Sequence, residues 1–257
     1  MSGKRLVYGV NPVRELVGSR AGDVAVVYFS PRLLGGAAVE LRRSCTDRRI
    51  AIEEREPKEL DELVGAEARH QGVVAVAGEF PYAELEDLLD RLEGGPPALF
   101  VVLDGVQDPH NLGAIIRSAA VLGSGGVIIG RDRAAPVTPA AVKASAGATE
   151  RVPVAQVTNL VRALETMKER GIWTVGAVSR QQPAPAPWQV DLAGPIALVL
   201  GSEGKGLRRL VDETCDLHVQ IPMPGISLSL NVSVAAGVLL AEAVRQRSVQ
   251  RSVQRSV

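Results

Sequence analysis

Two hydrophobic periods alternate along the chain, and the places where one gives way to the other mark out its elements. Val24 to Phe29 is a continuous apolar run of strand length, and Ala37 to Arg48 repeats its apolar positions at helical spacing. Ile50 to Ile52 and Gly72 to Ala77 predict two more strands, completing a small α/β unit. Residues 79–97 then gather Glu84, Glu86, Asp87 and Asp90 around one helical turn and close on Gly94-Gly95-Pro96-Pro97, the composition of a linker.

From Leu99 the periods alternate regularly. Strands are predicted at Leu99 to Leu103, Val127 to Ile129, Ile172 to Val178, Ile196 to Leu200 and Leu217 to Ile221. Helices are predicted at Gly113 to Leu122, Ala140 to Ala146, Leu160 to Arg170, Leu207 to Cys215 and Val232 to Arg245. Strands joined through helices require crossover connections, hence an α/β architecture with a mostly parallel sheet. Such sheets bind ligands beyond the carboxyl ends of their strands, which directs attention to the loops after Leu103, Leu200 and Ile221. The proline-rich Gln181 to Pro187 and the repeating RSVQ tail, Arg247 to Val257, are expected to pack no core.

Composition sharpens this picture. Hydrophobic residues make up 46% of the 257 positions but aromatics only 3%, so the core must be aliphatic, as in parallel strands buried on both faces. The length suits two domains: residues 1–78 and 98–247, joined by 79–97 and followed by the tail, 248–257. Lys and Arg number 29 and so do Asp and Glu, so no global field draws the chain to a polyanion. Nucleic-acid contact would need local groups such as Arg42, Arg43, Arg48 and Arg49, a cluster equally suited to a solvated helix face. No apolar run reaches the roughly 18 residues of a membrane span, and no cleavable leader is visible, so the expected location is the cytoplasm. Cys45 and Cys215 belong to no CxxC or Cys/His cluster and read as plain buried thiols, with no metal implied.

Three loops carry the candidate chemistry. The first, Leu103 to Gly113, enters a helix whose apolar face is Leu112, Ile115, Ile116 and Ala119. Asn111 is placed to cap that helix. Arg117 lies off the apolar face, and a helical side chain leaning back toward the N-terminus carries its guanidinium over the loop, with Gly113 leaving room. A surface arginine and a structural cap would account for the same residues. The second loop, Gly201-Ser202-Glu203-Gly204-Lys205-Gly206, follows an all-apolar strand and suits close approach of a ligand to backbone amides. It is neither a Walker loop nor a dinucleotide fingerprint, and Glu203 is either a helix-dipole partner or a site carboxylate. The third, Ile221 to Ser233, offers Ser227, Ser229, Asn231 and Ser233 where one cap would suffice, beside the apolar Ile221, Met223 and Leu230.

In this order, NLGAIIRSAAVLG, LVLGSEGKGL and IPMPGISLSLNVSVAAG resemble the three motifs of the SpoU (TrmH) family of RNA ribose methyltransferases. Tyr8 to Val13 and His70 to Ala75 are similar to segments of its 23S rRNA guanosine-2′-O-methyltransferase branch. The resemblance implies a SPOUT domain with a deep trefoil knot at the cofactor pocket, an obligate homodimer, and a small N-terminal α/β domain that grips RNA. It implies S-adenosylmethionine as cofactor and no metal. Matched by motif, Arg117 stands at the ribose oxygen, Asn111, Ser229 and Asn231 fix the ribose, and Glu203 positions the arginine or its loop. Gly201, Ile221 and Leu230 would hold the adenosine. A tRNA or resistance-type rRNA target, or a non-catalytic ribosome-assembly role, remains open at this point.

Overall fold

The computed structural model describes residues 4–91, 95–178, 183–225 and 229–254. The N-terminal part runs β1 (Lys4–Tyr8), α1 (Val10–Ser19), β2 (Val24–Phe29), α2 (Gly36–Asp47), β3 (Ala51–Glu54), α3 (Pro57–Val64) and β4 (Val73–Gly78). Its sheet has the order β1-β4-β2-β3, with only β2 and β3 parallel. The hydrophobic pattern gave no sign of β1, α1 or α3. β1 is a partly exposed edge strand that opens on Lys4 and Arg5. α3 buries only Leu60 and is held instead by Pro57 in its first turn and by the Glu59 side chain, which accepts from the Glu56 amide at 2.8 Å.

The larger part comprises α4 (Leu85–Asp90), β5 (Leu99–Asp104), α5 (Pro109–Val121), β6 (Gly126–Gly130), α6 (Pro139–Ala144) and β7 (Val154–Val157). It continues with α7 (Leu160–Glu169), β8 (Trp173–Ala177), β9 (Ile196–Gly201), α8 (Arg209–Thr214), β10 (Leu217–Val219) and α9 (Val232–Gln254). The strands order as β10-β8-β9-β5-β6-β7, every neighbouring pair parallel. Successive residues of a strand point to opposite faces, so β5 divides its side chains between two cores. Leu99, Val101 and Leu103 pack with Leu112, Ile115, Leu239 and Leu240 from α5 and α9. Phe100 and Val102 pack with Leu88, Leu164 and Val211 from α4, α7 and α8.

Three expectations are corrected. Asn111 does not cap α5; Asp108 does, accepting from the His110 amide at 2.8 Å with Pro109 at the first position, so the helix starts one turn earlier. The proline-rich segment packs after all: Ala186 and Pro187 are buried, and Gln246 donates to the Pro187 carbonyl at 3.2 Å. Gln181 and Gln182 lie outside the described residues. The last helix also runs past its expected end at Arg245, since α9 continues through Gln254. Arg247 donates to the carbonyls of Pro97 and Ala98 at 2.8 Å and of Gly194 at 2.6 Å, joining the helix to the starts of two strands.

Within residues 79–97, Leu85, Leu88 and Leu89 of α4 are buried, and Ala83 bridges Ala155 of β7. Gly94 lies outside the described residues. The N-terminal part docks on the larger one through Glu150, whose buried carboxylate meets Arg5 at 2.9 Å and Arg20 at 3.5 Å. Nearby, Lys143 on α6 donates to the Gln71 side chain at 2.6 Å.

Candidate active site

The carboxyl ends of β8, β9 and β10 open into a cleft of about 560 Å³, within the roughly 300–1,000 Å³ of small-molecule sites. Second- and third-loop residues, including Gly201, Glu203, Lys205, Ile221, Met223, Ser229 and Leu230, line it together with Ala177, Leu200 and Val219 from the strand ends. Ile221, Met223 and Leu230 supply apolar wall to this cleft.

At the mouth of the cleft the three loops meet in a triangle of hydrogen bonds. Asn111 Nδ2 donates to Glu203 Oε1 at 3.0 Å, and Asn231 Nδ2 donates to the same oxygen at 2.7 Å. Asn231 Nδ2 also reaches Asn111 Oδ1 at 2.9 Å. Asn231 has a second task, because its Oδ1 accepts from the amide and hydroxyl of Ser233 and so caps α9. One residue therefore sets both the start of the last helix and the geometry of the site. Each corner comes from a different loop, so the side chains converge only in the folded chain.

Gly201 proves necessary for a reason other than ligand approach. A Cβ there would lie 2.0 Å from the Gly206 carbonyl carbon, because the loop folds back as a hairpin with Ser202 and Gly206 exchanging backbone hydrogen bonds. Gly113 likewise leaves no room for Arg117; its missing side chain admits α6, with the Ala141 carbonyl oxygen only 2.4 Å from where a Cβ would stand. Arg117 is exposed on α5, and among the described residues no hydrogen bond or ion pair joins it to the triangle. Ser229 is exposed at the cleft, and among the described residues no hydrogen bond links it to the triangle. Ser227 lies outside the described residues.

The pattern analysis missed Asp104. It ends β5 with its side chain fully buried and accepts from the backbone amide of Arg208 at 2.7 Å and from Arg208 Nε at 2.6 Å. This tethers the far end of the glycine hairpin to the strand that feeds the first loop. The available clue was a lone acid closing an otherwise apolar strand. Arg42, from the α2 cluster, instead lies 4.3 Å from the centre of the Phe29 ring and pairs with Glu54.

Similarity to known proteins decides the family. The sequence pattern of the SpoU rRNA Methylase family matches residues 98–241, and that of the RNA 2′-O ribose methyltransferase substrate-binding domain matches residues 6–83. The chain belongs to the SpoU methylase family. It is 43% identical over 257 residues to the 23S rRNA (guanosine-2′-O-)-methyltransferase RlmB of Pseudomonas syringae pv. tomato, covering 98% of this chain and 99% of that one. A relative of the same description from Xanthomonas campestris is 44% identical over 244 residues, covering 94% and 96%. Among solved structures, the SpoU methyltransferase AviRb of Streptomyces viridochromogenes in complex with AdoMet superposes with a TM-score of 0.80 at 31% identity, covering 96% and 92%. The α/β fold with a substrate-binding domain ahead of a parallel-sheet domain is that of the family.

Proposed function

We propose that this chain transfers the methyl group of S-adenosylmethionine to a ribose 2′-hydroxyl in RNA, with a guanosine of the peptidyl-transferase region of 23S rRNA as the target. The observation that carries the proposal is the Asn111, Glu203 and Asn231 triangle at the mouth of a ligand-sized cleft. The names of the relatives favour rRNA over tRNA.

The lining fits the cofactor: Leu200, Ile221 and Leu230 offer apolar surface for a flat ring, and Glu203 offers an anion at the edge of the cleft. When bound, S-adenosylmethionine supplies a methyl carbon made electrophilic by its sulfonium. The protein's part is to hold a ribose against that carbon and stabilise the developing alkoxide. Asn111 and Asn231, fixed by Glu203, orient the ribose with Ser229, and Gly201 with Ile221 and Leu230 holds the adenosine. Arg117 stabilises the developing alkoxide, and the hydroxyl proton leaves to phosphate or solvent.

Arg117 stands one helical turn before Val121, which is 79% exposed. α9, packed beside α5, exposes Val234 and Val238. These unpartnered apolar side chains support a homodimer that would place Arg117 at the boundary between protomers. We also propose the trefoil knot of the SPOUT fold around the cleft, a functional division into 1–78 and 98–247 joined by 79–97, with the tail at 248–257, and action in the cytoplasm. Among the described residues no helix is long and apolar enough to cross a membrane.

A tritiated-methyl transfer assay on 23S rRNA, followed by nucleotide-resolution mapping of 2′-O-methyl groups, tests the proposal. Arg117→Ala is expected to bind S-adenosylmethionine normally and lose turnover. Retained turnover would remove Arg117 from the mechanism. Methylation of tRNA alone would replace the target, and no transfer to any RNA would favour a non-catalytic assembly factor.

A further inference from the structure

On the far side of the glycine hairpin, the same edge of the sheet carries arginines that methyl transfer leaves unused. A second cleft, of about 440 Å³, lies between the start of α7 and the start of α8; Asn159, Val161, Arg208, Arg209 and Leu210 are part of its lining. Beside it runs the loop that leaves β6 with Arg131 and Arg133. That loop is fixed at both ends: the Arg131 amide donates to the Val157 carbonyl at 2.8 Å, and the Ala135 amide donates to the Val106 carbonyl at 2.8 Å. One anchor is the end of β7 and the other is the first catalytic loop. Between them Arg133 is held at a φ of 59°, a left-handed conformation that non-glycine residues seldom adopt and that tends to mark functional positions.

Two of the four arginines along this edge carry no ion pair among the described residues. Arg131 and Arg133 are exposed, and among the described residues neither guanidinium has a hydrogen bond or ion pair. Arg208 is aimed from below by the buried Asp104 while its own side chain stays 51% exposed. Arg209 meets only Glu213, in an exposed pair one turn apart that water screens. Asp132, also exposed, is the remaining acid of the loop. A chain with no net charge cannot hold a polyanion by its overall field, so contact must come from fixed local cations such as these. Leu210, 55% exposed, adds an apolar surface at the same place.

We propose that this edge binds the single-stranded RNA flanking the reactive ribose, with phosphates on Arg131, Arg133 and Arg209 and an unstacked base against Val161 and Leu210. The inference rests on the RNA-methyltransferase reading and extends it by naming the substrate track. RNA enzymes that act on single nucleotides read unpaired, splayed segments, and aliphatic surface serves here because aromatics are scarce. Arg208 is the aiming point of the hairpin and is left intact in the test, since its loss would strand Asp104.

The test measures binding by the full-length chain of a fluorescent short single-stranded RNA, and of a transcript of the peptidyl-transferase region of 23S rRNA, as salt is raised. With Arg131→Ala and Arg133→Ala combined, the slope of log affinity against log salt should become shallower by about 1.4, as for two lost phosphate contacts on a single strand. The affinity of S-adenosylmethionine measured by calorimetry should not change, and KM for RNA should rise while kcat is kept. Arg209→Ala should shift the slope by about half as much. A wild-type slope and affinity in both variants overturns the track, as does a loss confined to Arg42→Ala with Arg43→Ala on α2. A wild-type chain that binds neither RNA overturns the RNA reading itself, and this inference with it.

Discussion

Glu203 places one carboxylate oxygen between two amides, and this fixes what each substitution must do. Glu203→Gln keeps an acceptor for both amides but removes the charge, so thermal stability should stay near wild type while methyl transfer falls. Glu203→Ala takes the acceptor from Asn111 Nδ2 and leaves Asn231 Nδ2 only Asn111 Oδ1, at about 1 kcal/mol or less for each lost bond, and should lower Tm as well as activity. Thermal melts run beside the transfer assay separate the two effects; equal loss of Tm in both variants would contradict the assigned geometry. A second residue gives a pH signature. Burial, then the nearby Asp212 and Asp216, push the Cys215 thiol from 9.0 up to about 12. Between those values the unfolded chain releases a proton that the native chain retains, so stability falls as pH rises above 9. Cys215→Ala should flatten that decline in urea denaturation curves compared on either side of pH 9, with little change below it.

At the scale of elements, close helix packing reverses an ordinary propensity. Gly to Ala inside a helix usually adds about 1 kcal/mol of stability. In α5, however, a Cβ at Gly113 would press on the Ala141 carbonyl oxygen at 2.4 Å and the Ala144 Cβ at 2.6 Å. Gly113→Ala should therefore destabilise, by about 1–3 kcal/mol as overpacked sites do, and chemical denaturation reads the sign directly. This constraint was invisible in the linear chain, where Gly113 looked like space for Arg117. The long apolar strands β5 and β9 were legible because both of their faces are buried. β1, α1, α3 and β7 were not, since edge position, caps and brevity leave little periodic signal. The start of α5 was displaced by a turn because Asp108-Pro109 and Asn111 both carry capping chemistry, and only the fold turns Asn111 toward Glu203.

At the scale of the whole molecule, the two parts are held together by a carboxylate removed from water. Glu150 is shared by Arg5 and Arg20, whose guanidinium groups both lie near the Phe80 ring. Removing one member of a buried ion pair typically costs about 3–5 kcal/mol, because the remaining charges lose their partner in a low-dielectric setting. Glu150→Ala should lower stability by about that much and expose residues 79–97 to protease. Arg43→Ala, which breaks only an exposed pair with Asp47, should change stability by less than about 0.5 kcal/mol. Equal effects would mean the docking does not depend on Glu150.

The linear chain by itself determined the class of fold and the three loops in which to look. Apolar periodicity specifies which strands are buried on both faces, and strand-helix alternation specifies a parallel sheet. It also supplied Asn111, Glu203 and Asn231 as candidates. Their meeting at a single carboxylate oxygen was decided only by the tertiary structure, as were the Asp104 tether and the fates of the proline-rich segment and the tail. Each of these depends on partners from 28 to 150 positions away. Local pattern reports which face of an element seeks cover, and carries no record of which distant backbone or side chain will provide it.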